Sequence, residues 1–234
     1  MKRITILLLA LYAMGNLVLN AQTADEIIAK HIDALGGKEK LSQLKSLYTE
    51  NSMEVMGSAA PQKEYLLEGK GYKTEVEFNG MNIINCFTDK GGWLINPLMG
   101  GSDATAMPDA IYKPGKLQIY FCGGLMDYAE KGYKVELAGK EGEAYKIKIT
   151  DGSSETYYFI DAGTFLLTKS IVKSEMMGQA VEVITTYSDY KKTDFGLMIA
   201  YAKNIDMGMI QLNMKTDKVE VNKEIDPAIF EMPK

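Results

Sequence analysis

From Ser46 to about Val221 the chain runs as short stretches of alternating apolar and polar residues joined by Gly-containing turns, the period-two pattern of strands with one buried face. The pattern predicts one large curved antiparallel sheet. Ahead of it, Thr23 and Glu26 form a capping box, and Ala24, Ile27, Ile28, His31, Ile32 and Leu35 fall on one stripe of a 3.6-residue period that Gly36-Gly37 closes. A shorter second helix is expected over Lys38 to Leu44, with Leu41 and Leu44 turned inward, and both helices should pack on the sheet.

Turns fix the register in three places. A two-residue Asn79-Gly80 turn pairs Phe78 with Met81, Val76 with Ile83, Thr74 with Asn85 and Tyr72 with Phe87, so one face of this hairpin is mainly apolar. The other face pairs Glu77 with Asn82, Glu75 with Ile84 and Lys73 with Cys86, and reads as the outer, solvated side. Asp151-Gly152 places Tyr145, Ile147 and Ile149 beside Tyr158, Thr156 and Ser154, with Lys146 and Lys148 pointing away. Met177-Gly178 sets Val172 across from Val183 and Ser174 across from Val181. Between Leu98 and Gly132 the alternation stops. That stretch, with Pro97, Pro108, Pro114 and Gly123-Gly124, reads as loops and one or two short helices crossing an open side of the sheet. Its apolar residues Ile111, Tyr112, Leu117, Ile119, Tyr120, Phe121, Leu125 and Met126 favour a lid.

The amino terminus bears on the compartment. Lys2 and Arg3 precede the apolar run Ile4 to Leu11, and the segment ends at Leu19-Asn20-Ala21 before Gln22, the three-part organisation of a secretory signal peptide. Tyr12, Gly15 and Asn16 break the apolar run below the ~20 residues a membrane span needs. The expectation is a signal peptide over residues 1–21 and one domain over 22–234, exported to the periplasm and not membrane-spanning after cleavage. Removing the charges of Lys2 and Arg3 from the net −5 leaves −7, which argues against nucleic acid or an anionic membrane surface as the main partner. Every basic side chain after Arg3 is lysine, so no guanidinium fork is available for bidentate capture of an anion.

Catalytic chemistry finds little support. His31 is the sole histidine and lies on a helix's apolar stripe, where a packed imidazole is the ordinary role; no histidine cluster for zinc follows, and a serine triad would rest on this residue alone. Ser42 and Lys45 match S-x-x-K and Lys192-Thr193-Asp194 approximates its companion motif, but the second lacks its glycine and the α/β context is missing. Asp25-Glu26 and Glu141 with Glu143 fall in a helix's first turn and a strand turn, where solvated charge is the default. Gly69-Lys70-Gly71 is a turn. No catalytic residue, metal or cofactor is expected. Cys86 and Cys122 in an oxidising compartment raise a disulfide that would add about 3–4 kcal/mol; the derived register, with Cys86 on the outer face, stands against it.

Four segments carry a family resemblance: Leu35-Gly36-Gly37-Lys38-Glu39-Lys40-Leu41, Gly91-Gly92-Trp93-Leu94-Ile95-Asn96-Pro97, Tyr187-Ser188-Asp189-Tyr190 and Ile225-Asp226-Pro227-Ala228-Ile229-Phe230-Glu231-Met232-Pro233. In order and spacing the chain resembles the outer-membrane lipoprotein-sorting proteins of the LolA-like superfamily. The resemblance implies a mainly β, α+β fold, an unclosed half-barrel whose concave face is covered by N-terminal helices and a lid and holds acyl chains of lipids or lipoproteins. The family's well-studied carrier ties its lid with an inner-strand arginine, which this chain lacks, so what carries over is fold and lipid-binding class. The expected ligand site is an apolar groove of Tyr72, Val76, Phe78, Met81, Ile83, Phe87, Tyr145, Ile147, Ile149 and Tyr158, with Trp93, Leu125 and Met126 near its rim. The expected partner is a lipid or acylated lipoprotein; the alternative is an envelope interaction or sensor module that uses the same fold on another envelope protein. The 15 methionines suit an adaptable lipid pocket, but any single one more often fills an ordinary barrel core, and it is the lid sequence that tilts the reading toward a cavity.

Overall fold

The computed structural model describes residues 22–55, 57–176, 179–208 and 210–233. The expected signal peptide and the Met177-Gly178 turn lie outside them. Helix α1 (Ala24–Leu35) begins with both halves of the capping box formed by Thr23 and Glu26, and it buries Ile27, Ile28, His31, Ile32 and Leu35. Gly36, at φ 134°, ends it. Helix α2 is the single turn Lys38–Leu41 rather than a helix to Leu44; tight turns carry the chain on, and Leu41 and Leu44 are both buried. No helix among the described residues is long and apolar enough to cross a membrane.

Fourteen antiparallel strands follow: β1 (Ser46–Val55), β2 (Ser58–Ala59), β3 (Gln62–Leu67), β4 (Gly71–Phe78), β5 (Met81–Thr88), β6 (Gly92–Asn96), β7 (Gly101–Ala106), β8 (Lys134–Glu141), β9 (Ala144–Thr150), β10 (Glu155–Asp161), β11 (Leu167–Met176), β12 (Gln179–Lys192), β13 (Met198–Asp206) and β14 (Gln211–Val221). Their order is β7-β6-β5-β4-β3-β1-β14-β13-β12-β11-β10-β9-β8, with the short β2 paired to β1. Two meanders therefore meet at the β1–β14 seam in the middle, and the edges are β7 and β8, which follow one another in sequence. The sheet does not close, and residues 107–133 connect its two edges. Register shifts at Glu50/Asn51, Leu137/Lys140 and Phe159/Ile160 mark bulges, which bend strands and add to the curl.

The β4–β5 hairpin pairs as its turn dictates, Phe78 with Met81 through Tyr72 with Phe87, and β11–β12 sets Val172 against Val183. The β9–β10 hairpin differs from expectation by two residues: Thr150 faces Glu155, Ile149 faces Thr156 and Ile147 faces Tyr158. The cause is Asp151, whose carboxylate accepts from the backbone N–H of Ser153 at 2.8 Å and of Ser154 at 2.9 Å, stabilising a four-residue loop. A shift of two leaves each side chain on its expected face.

Two further expectations are corrected. Strand β7 lies inside the stretch read as loops, and all but one of its residues are exposed; an edge strand with neither face buried has no alternation to display. The face of β4–β6 bearing Lys73, Cys86 and Trp93 is not solvated. The C-terminal segment folds over it, burying Cys86 and Trp93 with Phe230, and the Trp93 indole N–H donates to the Phe230 carbonyl at 2.8 Å. The fit is close: a Cβ at Gly71 would lie 2.5 Å from the Phe230 ring.

On the concave side, α1 lies against β8 and β13 and fills one end of the curl. Ile27, Ile28, Ile32 and Leu35 pack with Ile147, Ile149, Ile160, Leu197 and Ile199 in the largest apolar cluster.

Candidate functional site: a covered cavity on the concave face

Beside that filled end the concave face is hollow. The connection from β7 to β8 crosses it as helix α3 (Asp109–Gly115), a 3-10 turn (Lys116–Ile119) and a looped segment carrying Cys122 and Leu125. Apolar residues hold this lid at both sides. Ile119 and Met107 bury Phe87 of β5, with Gly115 so near that a Cβ would fall 2.2 Å from the Phe87 ring. Helix α3 reaches across to pack on β11. Polar ties add direction: the Tyr158 hydroxyl donates to the Gly123 carbonyl at 3.0 Å, Tyr112 donates to Thr88 at 2.9 Å, and Glu68 accepts from the Phe121 N–H at 2.8 Å. Burial raises the pKa of Glu68, a direction opposed by that N–H.

Between lid and sheet lies a cavity of about 380 Å³, within the ~300–1,000 Å³ range of small-molecule sites. Its walls include Leu47, Leu66, Val172, Val183, Met198 and Ala200 from the sheet, with Leu117, Phe121, Cys122 and Leu125 from the lid. His31 closes one end, its Nδ1 2.7 Å from the Phe165 carbonyl; burial lowers its pKa, so the imidazole is held neutral. Burial pushes the Cys122 thiol and the Tyr158 phenol up.

The floor is more polar than the sequence implies. Glu64 on β3 accepts from Thr49 on β1 at 3.2 Å and from Lys203 on β13 at 3.3 Å. Thr216 donates to Asn51 at 2.8 Å, Asn51 to Gln62 at 3.2 Å, and Ser170 meets the Tyr187 hydroxyl at 3.0 Å. These groups went unread because hairpin registers speak only for neighbours, whereas Glu64 and Lys203 are 139 residues apart in sequence. Inward alternation with Tyr72 could have flagged Glu64 through the β3–β4 turn; for Lys203 no local signal exists.

The expected groove residues divide among five places. Tyr72, Phe87, Leu125 and Tyr158 line the cavity. Ile147 and Ile149 share its face but are wholly buried in the apolar cluster formed with α1 and the lid, against which Tyr145 also packs, its ring stacked on Phe165 at 6.3 Å. Val76 and Phe78 pack with Met53, Ala60 and Met214 farther along the concave face, and Ile83 and Met81 sit half-buried opposite them. Met126 lies against α1, in a shallow depression with Ile28 and Ile32. Trp93 is on the convex face, under the C-terminal segment.

Ser42 and His31 do not meet as a catalytic pair: Ser42 Oγ donates to the Lys38 carbonyl at 2.8 Å, at the exposed end of α2. The two cysteines are free, Cys86 beneath Phe230 and Cys122 in the cavity wall.

This architecture is the LolA-like fold, an unclosed half-barrel of antiparallel strands. Solved structures similar to it include the following three. The LolA superfamily protein from Nitrosomonas europaea superimposes with a TM-score of 0.58 at 11% identity, over 90% of this chain and 98% of its own. A DUF1329 family protein from Desulfovibrio piger gives 0.57 at 12% identity, over 88% and 96%. An outer membrane lipoprotein-sorting protein domain from Vibrio parahaemolyticus gives 0.54 at 13% identity, over 87% and 95%. At these identities the likeness is one of fold. No family model matches the sequence, and no curated protein matches it.

Proposed function

We propose that this chain is an exported, single-domain periplasmic protein that binds the acyl chain of a lipid or of an acylated lipoprotein in the covered cavity, as a binder rather than an enzyme. The observation that carries the reading is a hollow beneath a lid in a sheet whose neighbouring end is packed solid. Burying an acyl chain yields about 0.8 kcal/mol per methylene, so a long chain supplies on the order of 10 kcal/mol before ordering costs. A lining of Leu47, Leu66, Val172, Val183, Leu117 and Leu125 provides that environment. The likeness to the lipoprotein-sorting protein domain from Vibrio parahaemolyticus agrees with it at the level of fold.

The test is native mass spectrometry of protein purified from an envelope fraction, with thermal melts in added fatty acid or diacylated lipopeptide. A co-purifying lipid mass and a ligand-dependent rise in Tm are expected, and Val172→Trp, which fills the hollow, should abolish both. A clean apo mass with no thermal gain from any acyl compound refutes the reading.

A further inference from the structure

The cavity's single ion pair is placed unusually. Glu64 and Lys203 stand on β3 and β13, with β1 and β14 between them. The three strand spacings alone separate their backbones by about 14 Å in a flat sheet, and the register, which pairs Glu64 with Thr49 but Lys203 with Met214 and so with the row of Met53, adds an offset along the strands, yet the side chains meet at 3.3 Å. They meet because the sheet curls, so the pair spans the hollow above Thr49 and Thr216 instead of lying along a strand. Glu64 is well engaged, accepting from Thr49 as well as Lys203, with the buried Tyr72 hydroxyl beside it. Lys203 is not: both its contacts, 3.3 Å and 3.5 Å, go to the one carboxylate. An ammonium has three N–H donors, so one remains for something in the cavity.

Charge decides what that is. Among the lining residues Glu64 is the sole carboxylate and Lys203 the sole lysine, and His31 is held neutral. The chamber is therefore balanced when empty. A ligand carboxylate would add an uncompensated negative charge beside Glu64, where desolvation and like-charge repulsion both disfavour it. An uncharged carbonyl oxygen takes the spare Lys203 donor without disturbing the balance. Resting on the acyl-binding reading above, we propose that the cavity selects ligands whose acyl chain ends in an uncharged ester or amide, with its carbonyl accepting from Lys203, and that Glu64 is the specificity-determining residue that turns free fatty-acid carboxylates away.

The experiment is a competition by native mass spectrometry between monoolein and oleate, which share a chain and differ in the head, at mildly alkaline pH. Wild-type protein should retain monoolein in preference to oleate by on the order of tenfold, the ratio equivalent to about 1.4 kcal/mol. Glu64→Gln keeps the side chain's shape and leaves Lys203 unbalanced, so it should reverse the preference towards oleate. The double variant Glu64→Gln/Lys203→Met restores neutrality without a donor and should hold monoolein more weakly than wild type while still refusing oleate; circular dichroism confirms folding of each protein. Equal uptake or an oleate preference in wild type, or a preference that Glu64→Gln leaves unmoved, overturns the inference while acyl binding stands. Retention of neither lipid by any of the proteins overturns the acyl-binding reading and the inference with it.

Discussion

Replacing Gly115 by alanine tests whether the lid is pressed onto the sheet. A Cβ there would lie 2.2, 2.7 and 3.0 Å from three atoms of the Phe87 ring, against a comfortable carbon–carbon separation of about 3.5–4.0 Å. Met107 and Ile119 back the ring on one side, so either the lid lifts, the cluster distorts or the ring is pushed into the cavity it lines. Overpacking of this kind costs about 1–3 kcal/mol, which in a chain of this size lowers Tm by about 2–12 °C. Two assays read it: a thermal melt, and limited trypsin digestion after Lys116, which follows Gly115 and becomes a better substrate if the lid rises. Phe87→Leu in the same chain should recover part of the loss, because the atoms that clash are the ones removed. Singles that add to within about 0.5 kcal/mol of the double, or a Gly115→Ala protein with wild-type Tm and digestion, would refute a lid held against β5.

Three other outcomes are expected. Phe230→Ala removes the ring that covers Cys86 and Gly71 and should cost about 3–5 kcal/mol; Cys86, whose thiol burial pushes up to about 12, should then take up iodoacetamide in the native state while Cys122 stays protected, and unfolded wild type should alkylate at both thiols without reductant. Tyr158→Phe leaves the Gly123 carbonyl without its donor and should cost about 1–3 kcal/mol, read by urea melts, with ligand release accelerated; an unchanged melt would contradict the tie. Because burial depresses the His31 pKa below 6.5, its neutral form gives full stability above that pH. As pH falls below 6.5 the unfolded chain takes up a proton that the native state refuses, so stability drops by up to about 1.4 kcal/mol per pH unit until the folded pKa is reached. His31→Asn should flatten that slope relative to wild type, and equal slopes would show that His31 is charged in the native state.

Legibility in the sequence followed the range of the interactions. The capping box at Thr23 and the turn at Asn79-Gly80 are complete within a few residues, and both appear as expected. At Asp151 the dipeptide indicated the hairpin but not that its carboxylate would hold a four-residue loop; the side-chain period of two still kept Ile147 and Tyr158 on the right face. Faces failed where a distant segment covers them. Cys86 alternates as an outer residue should, and nothing local reveals that Phe230, 144 residues beyond it, lies over it and over Trp93, expected at the groove's rim. The division of the concave face into a packed and a hollow part was likewise hidden, since Ile149 and Tyr158 look alike in pattern and only Tyr158 lines the hollow. The Glu64–Lys203 contact needs the β1–β14 seam, a pairing of the first strand with the last that no turn encodes.

The topology also ties the lid to the width of the curl. Because β7 and β8 are the two free margins and residues 107–133 run directly between them, the half-barrel behaves like a purse whose flap is sewn to both lips. Anything that spreads the margins draws the flap taut, and anything that slackens it lets them approach, so a bulky occupant is felt by the cover even where the two never touch.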